Sequence, residues 1–227
     1  METWVITGAN RGIGLELTKR IMASGRAVIA GCREPEAATG LRKLASSTLA
    51  IMELDVADER SVDAFVAALE VRPVDVLVNN AGIVGGDRQS VDDMDYQAWM
   101  RAFEVNTIAP FRLTTKLKPN LLLGERPRAV TLSSQMGSLN RKSTGSFAYR
   151  SSKAAVNKVM QVMAMEFERE GIIVCPVHPG WVRTDMGGPK ADISVEESAQ
   201  GLLTLIDSLT PNHSGRFWTW DGKEHPW

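Results

Sequence analysis

The feature that most constrains this chain is an alternation, sustained from end to end, of short β-branched apolar runs with stretches of helical periodicity. The apolar runs fall at Trp4–Ile6, Ala27–Ala30, Leu49–Met52, Val74–Val78, Ala129–Leu132 and Ile172–Cys175, with a short closing run at Gly215–Trp218. Helical patterns separate them over Leu15–Ser24, Glu36–Ser47, Glu59–Glu70, Asp95–Lys116, Ala148–Arg169 and Val195–Ser208. Strands that are apolar on consecutive residues are covered on both faces. With helices between them they predict an α/β fold, a doubly wound, mainly parallel sheet of about seven strands. A chain of 227 residues, 44% of them hydrophobic, can bury one sizeable core, so a single domain over residues 1–227 is expected. Sheets of this kind bind ligands at the carboxyl ends of their strands, and the chemistry is therefore sought in the residues that follow each run.

Charge and cysteine usage narrow the partners. A formal net charge of -1, with no run of Lys or Arg, leaves no electrostatic footprint for nucleic acid or an anionic membrane. Cys32 and Cys175 sit in apolar runs and read as small core residues in a reducing compartment. The strand pattern begins almost at the N-terminus, without a basic leader or cleavage site, and no apolar run approaches membrane-spanning length. A cytoplasmic protein acting on a small molecule is expected.

Two stretches carry the chemistry. The first run ends in Thr7-Gly8-Ala9-Asn10-Arg11-Gly12-Ile13-Gly14 and passes directly into a helix. Its glycines permit a tight turn and close approach of backbone to phosphate, and a helix N-terminus offers free N–H groups with a positive dipole. The spacing is GxxxGxG, and an ordinary strand–helix turn is the plainer alternative. The second stretch is Tyr149-Arg150-Ser151-Ser152-Lys153, which sets a phenol and an ammonium four residues apart on one helix face. A cation beside a phenol favours the phenolate and draws the tyrosine toward proton transfer near neutral pH, with Lys153 as that cation.

Further motifs stand in order between and beyond these two: Asn79-Asn80-Ala81-Gly82, Asn106, Leu132-Ser133-Ser134 and Pro179-Gly180. Taken with TGANRGIG and Tyr149-x-x-x-Lys153, they resemble the short-chain dehydrogenase/reductase family over nearly the whole chain. The YRSSK stretch and the Trp-Asp-Gly-Lys-x-x-Pro-Trp tail look like its carbonyl-reductase and C-factor-like branch. The resemblance implies a single-domain Rossmann fold and an oxidoreductase acting on CH–OH and C=O groups. It assigns Tyr149 as general acid/base, Lys153 as the group that lowers its pKa and binds ribose, Ser134 as the hydroxyl that polarises the carbonyl, and Asn106 as the holder of a proton-relay water. Ser138 is the weaker alternative to Ser134, because the Gln135–Phe147 segment is longer than the family's.

Asn106 can also be argued from the chain itself. A proline inside a helix cannot donate to the carbonyl four residues earlier, and four before Pro110 is Asn106.

By the same resemblance the cofactor is held by Gly8, Asn10, Arg11, Gly12, Ile13, Gly14, Arg33, Asp55, Val56, Asn79, Ala81, Gly82, Tyr149, Lys153, Pro179, Gly180, Val182 and Thr184. Asp55 reads equally well as a helix cap. The second run closes on Gly31-Cys32-Arg33, with no carboxylate where a 2'-hydroxyl would be bonded, so NADP(H) is preferred over NAD(H) despite Glu34 and Glu36 close by. Arg11 offers a second cation. His178, beside Pro179, reads as structural, and His213 and His225 show no metal-ligand spacing. Met136, Phe147, Trp181 and Met186 suggest an apolar substrate pocket with a short Met186–Asp192 loop. The helices from Asp95 and Ala148 carry more apolar surface than one sheet face needs, which points to a homodimer. A dinucleotide-sensing regulatory or signalling protein is the alternative reading, and an epimerase or dehydratase with bound NAD is a further one.

Overall fold

The computed structural model describes residues 1–227. Its seven strands are β1 (Thr3–Thr7), β2 (Ala27–Cys32), β3 (Leu49–Glu53), β4 (Val76–Asn79), β5 (Arg128–Leu132), β6 (Ile173–His178) and β7 (Trp218–Thr219). They pair in the order β3-β2-β1-β4-β5-β6-β7, and every pair is parallel. Strand order reverses direction between β1 and β4, so the crevice expected of such sheets opens at the ends of those two strands, after Thr7 and Asn79.

Side-chain alternation sorts each strand between two cores. Trp4, Ile6, Val28, Val78, Val130, Leu132 and Val177 face helices α1 (Gly12–Ala23), α2 (Thr39–Arg42) and α8 (Val195–Ser208). On the other side Val5, Ile29, Leu77, Ala129 and Val174 face α3 (Glu59–Leu69), α5 (Ala109–Lys116), α6 (Lys118–Leu121) and α7 (Phe147–Glu166). Helix α4 (Tyr96–Phe103) packs beside α7, tied to it by a 2.8 Å hydrogen bond from the Trp99 indole to Ser151. Both cysteines are buried free thiols.

Three expectations change. The helix predicted over 36–47 shrinks to the single turn of α2, flanked by turns on both sides and weakened as a helix by Gly40 within it. The long helix predicted over 95–116 divides into α4 and α5 around a π turn at Glu104–Ile108, with the Ala109 N–H donating to the Glu104 carbonyl. Pro110, which has no N–H, stands just beyond that turn, and inserting one extra residue is how a helix passes such a position. The closing strand begins three residues later than predicted, at Trp218.

Candidate active site

At the crevice, two motifs interlock through backbone and side chain. Thr7 accepts hydrogen bonds on its hydroxyl from the N–H groups of Asn80 and Ala81, at 3.0 and 2.9 Å. The Asn80 amide donates to the carbonyls of Thr7 and Gly8 at 2.8 and 3.0 Å, bolting the end of β4 to the glycine loop. Asn80 was not singled out from sequence, although its place between Asn79 and Ala81 marks it. Gly8 and Gly12 have φ of +61° and +52°, a region costly for any other residue. A β-carbon on Gly14 would stand 2.6 Å from both the Gly8 carbonyl and the Asn80 amide, so only glycine admits this approach of loop to helix. No side chain caps α1, which leaves its first N–H groups facing the crevice.

The remaining cofactor candidates divide. Asn10 and Arg33 are exposed around this edge, and Ile13 is half-buried. Arg33 forms no ion pair; of the two carboxylates that weighed against a phosphate there, Glu36 is engaged by Arg42 and Glu34 forms no ion pair. Arg11 pairs with Asp185 at 3.1 Å. Asp55 does not cap a helix: it accepts from the Ala57 N–H at 3.0 Å, and Asp58 caps α3. Val56 packs against the core on the α3 side. Asn79 is buried, with its amide spent on Thr114 and Thr131 at 3.1 and 3.3 Å, so its side chain steadies β4 against β5 and α5.

Next along the edge lie the residues with proton-transfer chemistry. Tyr149 is in the first turn of α7 and Lys153 one turn on; the Lys153 ammonium donates to the Leu132 carbonyl at 2.6 Å and lies 5.8 Å from the centre of the Tyr149 ring. Gln89 holds this helix start in place by accepting from the N–H groups of Ala148 and Tyr149 at 2.8 and 3.3 Å, a capping role that nothing in the local sequence of α7 signals. Asn106, within the π turn, clamps Ile83 through both its N–H and its carbonyl, at 2.9 and 2.8 Å, and also donates to Ser152 at 3.0 Å. Gly82 closes the group: a β-carbon there would be 3.2 Å from the Asn106 oxygen and 3.6 Å from the Lys153 ammonium.

Ser134 follows β5, its hydroxyl accepting from the Met136 N–H at 3.1 Å, and it is near enough to the Tyr149 phenol to pull its pKa down. Ser138 is buried elsewhere, donating to the Pro226 carbonyl at 2.8 Å. The neighbouring Ser133 bonds to Asn157 on α7.

Burial sets the ionisation of this group. It pushes the Tyr149 phenol up, against the opposing pull of Ser134, and pushes Lys153 down to about 8. The expected lowering of Tyr149 by Lys153 is therefore not what dominates here: both groups are desolvated, and the ammonium is directed to a main-chain carbonyl.

The segment after β6 completes the rim. Gly180 has φ of +91°, and a β-carbon on it would come within 2.4 Å of Ile193. The Pro179 carbonyl accepts from Ser198 at 2.6 Å, Val182 bridges to Ile193, and the Thr184 hydroxyl accepts from the Gly187 N–H at 3.1 Å. Thr184 meets the glycine loop, its methyl 3.4 Å from where a β-carbon on Gly12 would be. His178 is buried, with Nδ1 unpartnered, and burial pushes it down to about 4, as suits a neutral structural imidazole. Trp181 and Met186 are exposed on this segment, Phe147 is exposed at the start of α7, and Met136 is half-buried.

Comparison with known proteins agrees with this architecture. Residues 2–193 match the sequence profile of the short chain dehydrogenase family. The chain is 43% identical over 165 residues to the C-signal of Myxococcus xanthus, covering 72% of this chain and 99% of the relative. It is 34% identical to a 1-hydroxy-2-glutathionyl-2-methyl-3-butene dehydrogenase of a Rhodococcus species, over the full length of both. An NADPH-bound carbonyl reductase from chicken fatty liver superposes with a TM-score of 0.93 at 34% identity, covering 100% of this chain and 99% of that one.

Proposed function

The chain belongs to the short-chain dehydrogenase family, and from that premise we propose that it is an NADPH-dependent oxidoreductase interconverting a carbonyl group and an alcohol. The observation that carries this reading is the gathering of Ser134, Tyr149 and Lys153 at the same sheet edge as the glycine loop, with the Lys153 ammonium 5.8 Å from the Tyr149 ring centre. The cradle fits a dinucleotide: Gly8, Gly12 and Gly14 clear the loop, uncapped α1 offers N–H groups to a pyrophosphate, and Gly82 leaves space before Lys153. Arg33, unpaired at the end of β2, suits a 2'-phosphate, which favours NADP(H) over NAD(H).

NADPH, when bound, supplies the hydride. In that direction the Tyr149 phenol gives its proton to the substrate oxygen, and Ser134 hydrogen-bonds the same oxygen as charge develops on it. Lys153 holds the cofactor ribose and, as the phenol loses its proton, its charge favours the phenolate. Asn106 has its side chain spent on Ile83 and Ser152, so it acts through its main-chain carbonyl, to which Pro110 cannot donate, by holding the relay water. In the oxidative direction the proton transfers run in reverse, as the similarity to a dehydrogenase of an alcohol substrate supports. Phe147, Trp181 and Met186 give the substrate an apolar entrance.

The catalytic unit is one cytoplasmic domain, and it dimerises through the exposed apolar residues of α4, α5 and α7. The test follows NADPH consumption against a panel of aldehydes, ketones and quinones. Turnover should appear with NADPH and fall by at least about a hundredfold in Tyr149→Phe. A second reading is supported by the 43% identity to the C-signal: a dinucleotide-sensing signalling protein. NADPH binding without turnover on the whole panel would move that reading ahead.

A further inference from the structure

The turn that carries Ser134 is held from two sides. On one, Gln135–Gly137 lies directly on α7, where a β-carbon on Gly137 would stand 2.6 Å from the main-chain carbonyl carbon of Lys153 and 2.7 Å from the nitrogen of Ala154. On the other, the segment after β7 folds back over the carboxyl edge of the sheet. Thr219 donates to the Lys223 carbonyl at 2.8 Å, His225 donates to the Phe217 carbonyl at 2.7 Å, and the Trp227 ring stacks on Phe217 with centres 5.8 Å apart.

The end of this segment reaches the Ser134 turn. Ser138, buried, donates to the Pro226 carbonyl at 2.8 Å, and Asn140 donates to the Trp227 carbonyl from its main chain at 3.2 Å and from its side chain at 3.1 Å. By contrast Ser134 itself has only a local tether, the Met136 N–H, and residues 139–145 beyond the turn are exposed.

We propose that residues 223–227 form a positioning clasp for Ser134. Through Ser138 and Asn140 the clasp presses the turn onto α7, and this keeps the Ser134 hydroxyl at the Tyr149 phenol. The inference rests on the reading of Ser134 as the hydroxyl that polarises the carbonyl. Ser138 is thus a positioning residue, its buried hydroxyl engaged with the Pro226 carbonyl. A reacting group displaced by a fraction of an ångström loses rate without losing cofactor affinity.

The experiment compares Ser138→Ala, Ser138→Thr and Trp227→Ala, with the first also placed in a Ser134→Ala background. Steady-state reduction of a carbonyl that the unaltered enzyme turns over is measured, together with NADPH affinity from fluorescence. Ser138→Ala should lower kcat by about three- to tenfold with NADPH Kd changed by less than about twofold, and Ser138→Thr should restore most of it. Trp227→Ala should fall in the same direction. In the Ser134→Ala background the Ser138 change should alter kcat by less than about twofold, because nothing remains to be positioned. Unchanged kcat in Ser138→Ala, or an equal loss in both backgrounds, overturns the clasp. If Ser138→Ala loses NADPH binding through misfolding, Trp227→Ala decides by the same comparison. Normal turnover in Ser134→Ala alone would instead remove the role given to Ser134.

Discussion

Lys153 is the residue whose environment most affects the chemistry. Burial depresses it to about 8, so its ammonium is complete below that pH and is lost as pH rises through it. Burial also raises the Tyr149 phenol, which therefore stays protonated across the same interval. The kcat/KM for carbonyl reduction should accordingly be flat toward neutral pH and fall above about 8, with the limb belonging to Lys153 and not to Tyr149. A Lys153→Met variant that kept the limb would refute this assignment.

At the other end of the crevice the proposed preference for NADPH rests on a single charge. Arg33→Asp should reduce the preference for NADPH over NADH by at least about tenfold in kcat/KM, since it exchanges a phosphate partner for a carboxylate that repels phosphate and accepts from a ribose hydroxyl. An unchanged ratio would move the phosphate contact to Arg11, and the Asp185 pair would then have to open.

At the level of elements, the site depends on junctions more than on the elements themselves. The glycine loop is held because Thr7 and Asn80 stitch β1 to the residues after β4, and Gly14 lets the helix start lie close against Gly8 and Asn80. Gly14→Ala should cost about 1–3 kcal/mol of stability by overpacking and should weaken NADPH binding, read by thermal unfolding and by fluorescence titration. Wild-type affinity in that variant would show that the loop yields more easily than its contacts imply. The π turn is a second junction: it rotates Asn106 inward to clamp Ile83 and Ser152, linking the strand β4 exit to α7. Gln89 is a third, fastening the start of α7 from a loop sixty residues away in sequence.

Over the whole molecule, the sheet gathers every chemical group at one edge and leaves an apolar face elsewhere. Tyr96, Met100, Ile108 and Phe111 on the α4–α5 side and Val162 and Met165 on α7 are exposed, although α4 and α7 pack together. The dimer proposal rests on these exposed apolar side chains. Light scattering at micromolar concentration should give about twice the 24.8 kDa chain mass, and Phe111→Glu with Met165→Glu should return it to one. A wild-type monomer would remove the dimer proposal.

What the sequence determined by itself was set by local periodicity and by motifs whose residues are adjacent. Apolar runs between helical patterns point to a parallel sheet with helices on both faces, because strands apolar on consecutive residues must be covered on each side, and helix α8 appears over the residues its pattern marks. The glycine loop and the Tyr149–Lys153 pair were legible for the same reason, since turn and helix geometry place their members together. Tertiary structure decided the rest, because contacts between residues far apart in sequence leave no spacing to read. It engaged Ser138 with the Pro226 carbonyl and left Ser134 with the Met136 N–H. It engaged Glu36 with Arg42, left Arg33 without an ion pair, and moved the α3 cap from Asp55 to Asp58. It also set the ionisation of Tyr149 and Lys153, which depends on how much water the assembled edge excludes from each and not on their spacing along the helix.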